Sequence, residues 1–171
     1  MPRSLPFILL TLLLLTPACQ PDSQPATQAA SRPAPVAFDI HVGHYVSNKF
    51  EPEKSESFVV IQDQETFDQT FGTALVQGKV ANYLPAEAFQ TKIVLAAIKR
   101  GHAIWTFNVT DVTTAGGVLT FRYTATSEKT DTADYASPVI ISVPKGNYTA
   151  VLFEENATPV ANIPLKTPAT P

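Results

Sequence analysis

The chain has 171 residues, a formal net charge of −3 and a single cysteine. That length accommodates one domain with little left over for a second. Weak acidity, with no basic stripe and no arginine-rich arm, argues against a nucleic-acid partner, and one cysteine excludes an internal disulfide.

The first element is an export signal. One positive charge, Arg3, precedes the apolar run Leu5 to Leu15 (LPFILLTLLLL). A membrane-spanning helix needs about 20 apolar residues, so this shorter run has the length of a signal-peptide core. It ends in Thr16-Pro17-Ala18-Cys19, and small Ala18 directly before Cys19 resembles the cleavage site of a bacterial lipoprotein; Thr16 stands where such sites usually carry leucine. Residues 1–18 are therefore expected to be removed. Cys19 is expected to carry the lipid, because its thiolate is the acceptor for a diacylglyceryl group and its freed amine for a further acyl chain. Two or more chains anchor stably, since each buried methylene contributes about 0.8 kcal/mol. Gln20 follows the cysteine; by resemblance to Gram-negative lipoproteins, a residue other than aspartate there implies the outer membrane, facing the periplasm.

Residues 19–35 form the lipidated tether. From Gln20 to Pro35 the sequence is rich in proline, glutamine, alanine and serine and has no large apolar residue. It cannot bury enough surface to order itself, and as a coil it spans about 20–30 Å.

The folded domain is expected over 36–165, with a loose tail over 166–171. Val36, Phe38, Ile40 and Val42 alternate with smaller or polar residues, a strand period. Ser57 to Gln62 is a second strand. A short helix follows, with Asp63 as its cap, Glu65 in its first turn, Phe67, Phe71 and Leu75 on one face, and Gly72 as its stop. A loop, Gln77 to Gln90, precedes Lys92 to Lys99 (KIVLAAIK), whose continuous apolar character predicts a central strand buried on both faces. His102 to Thr113 and Val118 to Ala125 predict a hairpin turning at Ala115-Gly116-Gly117, with Trp105, Phe107 and Val109 on one face and Leu119, Phe121 and Tyr123 on one face of the partner. A polar loop from Ser127 to Ser137, a strand from Pro138 to Val143, a turn at Pro144 to Asn147 and a strand from Tyr148 to Phe153 complete the set. About seven strands and one short helix predict a compact, mainly β, α+β domain, barrel- or sandwich-like.

No catalytic constellation emerges from spacing. His41 and His44, on one predicted strand, should point to opposite faces, and with His102 they make no metal-ligand pattern. There is no nucleophile-elbow serine and no glycine-rich phosphate loop, and carboxylates such as Asp39, Glu87 and Asp111 are dispersed. The expectation is a protein that is not an enzyme and needs no metal or cofactor. Its candidate partner surface comprises Tyr83, Leu84, Lys99, Arg100 and Tyr135: aromatics in loops, which are enriched in interface hot spots, and basic residues at a strand end.

From Ser57 onward the order of features resembles the C-terminal domain of the PrcB protease-complex-subunit family. The similar parts are SFVVIQDQETFDQTF (Ser57 to Phe71), Leu84 to Gly101, the strand pair around Trp105 and Phe121, and SPVIISVPKGNY (Ser137 to Tyr148), within 57–153. Gly101-His102-Ala103-Ile104-Trp105 stands where the family usually has a Gly-Gly-Tyr-like element. The resemblance implies a non-catalytic envelope domain that associates with, or stabilises, a partner protein such as a protease. Competing expectations are a periplasmic enzyme with an unfamiliar site, a small-ligand carrier with an open apolar interior, and a protease inhibitor that inserts the loop Asn82 to Ala86.

Overall fold

The structure is a computed structural model that describes residues 32–74, 82–131 and 133–165. The signal segment, Cys19, the tether up to Ser31, Leu75, residues 76–81 and the expected tail lie outside the described residues. The domain is a β sandwich of two open sheets with a third layer on the back of one of them.

Its centre is the strand expected from KIVLAAIK. This strand, β6 (Lys92–Gly101), lies between β4 (Glu56–Ile61) and β9 (Tyr135–Pro144), with β2 (Asp39–His41) outside β9. Its odd-numbered residues Ile93, Leu95 and Ala97 face the sandwich interior, and even-numbered Val94, Ala96 and Ile98 face the back layer. Both sets are buried, so strict alternation between apolar and polar residues is absent from this strand.

The second sheet has the order β1 (Ala34–Pro35), β7 (Ala103–Ala115), β8 (Val118–Lys129), β10 (Ala150–Glu155), β11 (Thr158–Pro164). The β7–β8 hairpin turns through Gly116 and Gly117, both at positive φ (57° and 82°), as the sequence predicts. Trp105, Phe107 and Val109 share the inward face of β7 until a bulge between Val109 and Asp111 resets the phase, after which Val112 is the inward residue. Such a bulge adds a residue to one strand and bends it. Leu119, Phe121 and Tyr123 fill the interior from β8, and Val151 and Phe153 from β10, which runs parallel to β8. These rings touch edge-on or tilted, Phe121 with Phe153 at 5.7 Å and with Tyr123 at 5.1 Å between centroids. Each large side chain so buried contributes about 1.5–3 kcal/mol.

The back layer consists of α1 (Gln64–Thr70), the antiparallel pair β3 (His44–Val46) and β5 (Phe71–Thr73), and a 3₁₀ turn over Ala86–Gln90. Asp63 caps α1 as expected, accepting a hydrogen bond from the Thr66 amide. The helix stops at Thr70, however, and Gly72 sits inside β5. The Tyr45 ring lies over Gly72 so closely that a Cβ there would fall 2.3 Å from it; this ring, and not a helix terminus, accounts for the glycine.

Three further expectations are corrected. The run Val36 to Val42 is not one strand. Ala34 and Pro35 pair with β7, the Val36 amide bonds Val112, and the chain then crosses to the other sheet, where Asp39–His41 pairs with β9. In crossing it changes phase: Val36 and Phe38 pack on the interior, but His41 is buried while Ile40 and Val42 are exposed. The polar loop is shorter than Ser127 to Ser137, since β8 runs on to Lys129 and β9 begins at Tyr135. Finally, the described residues hold eleven strands, the additional ones being short or, in β11, laced with proline.

Candidate functional site

The alternation of β6 places two successive basic residues in opposite surroundings. Lys99, an odd-numbered residue, points into the sandwich interior and is 5% exposed. Its ammonium donates to Glu56 at 2.7 Å and to Glu155 at 2.8 Å and lies 4.3 Å from the centre of the Trp105 ring. Burial opposes its charge, but the hydrogen bonds and charges of Glu155 and Glu56 outweigh that, and the Lys99 pKa stays above its ordinary value. The Tyr123 hydroxyl donates to Glu155 from the same cluster, and burial, then the Glu155 charge, pushes its pKa up. The cluster closes the end of the apolar interior with satisfied ions.

Arg100, the next residue, points to the back layer. Its guanidinium donates to the carbonyls of Phe50 (2.9 Å) and Lys54 (3.2 Å) and to the Ser57 hydroxyl (2.9 Å), and its own amide bonds the Ser55 carbonyl. Among the described residues these side-chain partners are all neutral. Burial lowers the Arg100 pKa, opposed by the charge of Glu51. The arginine thereby pins the segment Ser47 to Ser55, which also carries a turn at Glu51 with φ of 43°.

Between that pinned segment and the start of β9 opens a cleft of about 490 Å³. Val46, Phe50 and Pro52 line it with apolar surface, Tyr135 and Arg100 line it from β9 and β6, and the polar Asn48, Glu53, Lys54 and Asp134 complete the lining. Tyr135 pairs across the strands with Gly101 and remains 39% exposed. Strand pairing thus brings together Arg100 and Tyr135, two residues distant in sequence, at one mouth.

The other three expected surface residues lie elsewhere. Lys99 is interior. Leu84 is 9% exposed and packs in the back-layer core with Phe67 and Ile140. Tyr83 is exposed but outside the cleft lining, with its hydroxyl donating to Ala74 and its ring edge-on to His44 at 5.5 Å. In the segment Asn82 to Ala86, Asn82 bridges to Val42, Leu84 is buried and Ala86 begins the 3₁₀ turn, while Asn82, Tyr83, Pro85 and Ala86 are exposed.

The histidines also depart from expectation. Gly43, at φ of 93°, breaks the strand between them. His41 and His44 consequently both engage the segment Asn82 to Leu84 instead of facing opposite ways. His102 is exposed beside Asp134 at 3.5 Å. Among the described residues, no three histidine, cysteine or carboxylate side chains group as metal ligands would, and no helix is long and apolar enough to cross a membrane.

The missed members of the site are the apolar Val46, Phe50 and Pro52 and the polar lining around them, Ser47, Asn48, Glu53, Lys54, Ser55 and Asp134. Phe50 and Pro52 flank Glu51 in a turn-rich stretch that periodicity does not mark, although an aromatic next to Glu-Pro-Glu in a polar loop is the signal that could have drawn notice.

The cleft lies at a defined place relative to the chain's entry. The chain joins the domain at Ala34-Pro35, beside Thr113 and Thr114 of β7. Arg100, Gly101 and Tyr135 are at the other end, where β6 passes into β7. At about 3.3 Å per residue, the length of β7 between these points is about 30 Å. Comparison of the chain with protein-family models, curated proteins and solved structures finds no match.

Proposed function

We propose that this chain is a lipid-anchored protein of the cell envelope whose β sandwich is a non-catalytic binding or assembly module for a protein partner. The observation that carries the reading is the position of the cleft: it opens at the end of the sandwich opposite the one where the tether arrives. With lipid on Cys19, a flexible coil to the outer membrane, on its periplasmic side, would be attached at the Ala34 end, leaving the cleft at the end of the domain far from that attachment. An aromatic rim, a hydrophobic wall and a held arginine are the side-chain types that anchor protein interfaces. The resemblance to PrcB subunits makes a protease the class of partner we favour, with the domain stabilising or assembling it.

The test of the anchor is intact mass and membrane fractionation of the wild type beside Cys19→Ala, expressed in a bacterium. Acyl mass and membrane association in the wild type alone support the reading. Two soluble, unmodified proteins would remove the anchor and return the sandwich to a free secreted domain, with a soluble enzyme or inhibitor then the better account.

A further inference from the structure

We propose that His41 and His44 form an acid-released clasp that holds the segment Asn82 to Leu84 against the back layer. The proposal stands apart from the cleft and uses side chains that the binding reading leaves idle.

The geometry defines one protonation state for each ring. His41 is 7% exposed, and its Nδ1–H donates to the Asn82 carbonyl at 3.2 Å while its Nε2 accepts from the Ser142 hydroxyl at 2.8 Å. The Leu84 amide donates to Nε2 of His44 at 3.4 Å, so that nitrogen must be unprotonated and the ring proton must sit on Nδ1. That Nδ1 is buried and makes no well-formed hydrogen bond, although the Gly72 carbonyl is near enough to favour its proton. The ring is held edge-on between Phe67 (5.1 Å) and Tyr83 (5.5 Å). Two neutral imidazoles, one from each side of Gly43, therefore grip the same short segment at both of its ends. The Val42–Asn82 bridge and the bond from the Asn82 side chain to the Ile40 carbonyl complete the grip.

A second proton changes the two rings differently. On His41 it lies on Nε2, where Ser142 can turn its hydroxyl to accept. On His44 it lies between the ring and the Leu84 N–H, setting two donors face to face, and adds a charge in a buried aromatic setting. Little around His44 offsets that charge. From α1 it meets Phe67, from the loop the Tyr83 ring, and from β5 the Gly72 carbonyl, which favours the proton; the neighbouring His41 disfavours it. Asp39 and Lys92 act in opposite senses on His41 and are paired with each other. Burial is the largest influence on both rings and favours their neutral forms. Protonating His44 thus breaks the bond to Leu84, whose side chain covers part of the cluster containing Phe67 and Ile140. Acid exposes an apolar surface that is closed at neutral pH.

Hydrogen exchange on the full domain tests this, with the Leu84 amide read against Leu95 of β6 as an internal standard and both expressed as protection factors. Between about pH 7.5 and about pH 5, Leu84 protection should fall at least about tenfold relative to Leu95. In His44→Gln, which keeps an acceptor but does not titrate, the ratio should stay constant. Equal pH dependence of both amides in the wild type overturns the clasp, and so does an acid-induced drop that survives in His44→Gln. Should that variant not fold, imidazole ¹⁵N shifts of the wild type decide: an Nδ1–H tautomer at His44 titrating below the ordinary histidine range supports the clasp, and a ring already protonated at neutral pH overturns it.

Discussion

The two ends of the sandwich are built from different materials. At the Ala34 end, the Thr149 amide bonds the Gly117 carbonyl, the Leu165 amide bonds the Thr149 carbonyl, the Tyr148 ring lies close to Gly146, and the charged contact is the exposed Lys92–Asp39 pair. At the far end, closure is by charged side chains. Lys99 seals the interior with two carboxylates, and Arg100 holds a loop through three neutral acceptors. The Ala34 end also carries a smaller cleft, of about 390 Å³, between Gln62, Ile93, Lys145, Tyr148 and Leu165. At the far end the segment held by Arg100 and the start of β9 line the larger cleft, of about 490 Å³.

The largest expected effect comes from breaking the ionic seal. Lys99→Ala strands the Glu155 carboxylate, which is mostly buried, and should destabilise the domain by about 3 kcal/mol. The urea midpoint should fall with little change in slope. Arg100→Ala removes charged hydrogen bonds from the loop and should cost about 2 kcal/mol; it should also abolish partner binding, because the cleft wall loses its support. At the tethered end, Gly117→Ala forces a side chain into positive φ and to within 3.3 Å of Thr149 Oγ1. The expected loss is about 1 kcal/mol, with binding unchanged. That contrast between loop and turn, measured by denaturation and by partner capture, is the sharpest expression of the two-ended design.

Acidification should act on neither end but on the back layer. The pKa values of His41 and His44 are depressed by burial, so the unfolded chain binds protons more readily than the native one. Their contribution is present above the unfolded histidine value of about 6.5 and declines as pH falls from there toward the depressed native values. Denaturant midpoints should therefore drop between about pH 7 and pH 5, and the drop should shrink in His44→Gln. The smallest effect on stability is expected from Tyr135→Ala, within about 0.5 kcal/mol, since that ring is largely free on the cleft rim.

Much of this architecture is legible in the residues. The double-sided burial of β6 follows from its unbroken apolar run, and the Gly116-Gly117 hairpin follows from two alternating segments meeting at glycines. β11 escaped because TPVANIP is an edge strand with only Ala161 and Ile163 packed on the core; its turn, Asn156-Ala157, has both φ positive with no glycine to mark it. The crossing of Val36 to Val42 between sheets is invisible to periodicity, because the change of phase depends on which neighbour each half meets. For the site, a strand end singles out Arg100, and Tyr135 stands out as an aromatic in an expected loop, although it is the first residue of β9. Sequence distance hid the rest: the partners that draw Lys99 inward, Glu56 and Glu155, sit on other strands, and Leu84 is buried by residues of α1 and β9.

The account rests on the cleft end being the one that meets a partner. The direct measurement is site-specific photo-crosslinking in the native envelope, with a photoreactive residue placed at Tyr135 in one variant and at Lys145, toward the Ala34 end, in another. A discrete protein adduct from position 135 that is missing from position 145, and that disappears with Arg100→Ala, is the predicted result. Adducts of the same protein from both positions, or none from position 135 in a folded, membrane-bound variant, would contradict the assignment.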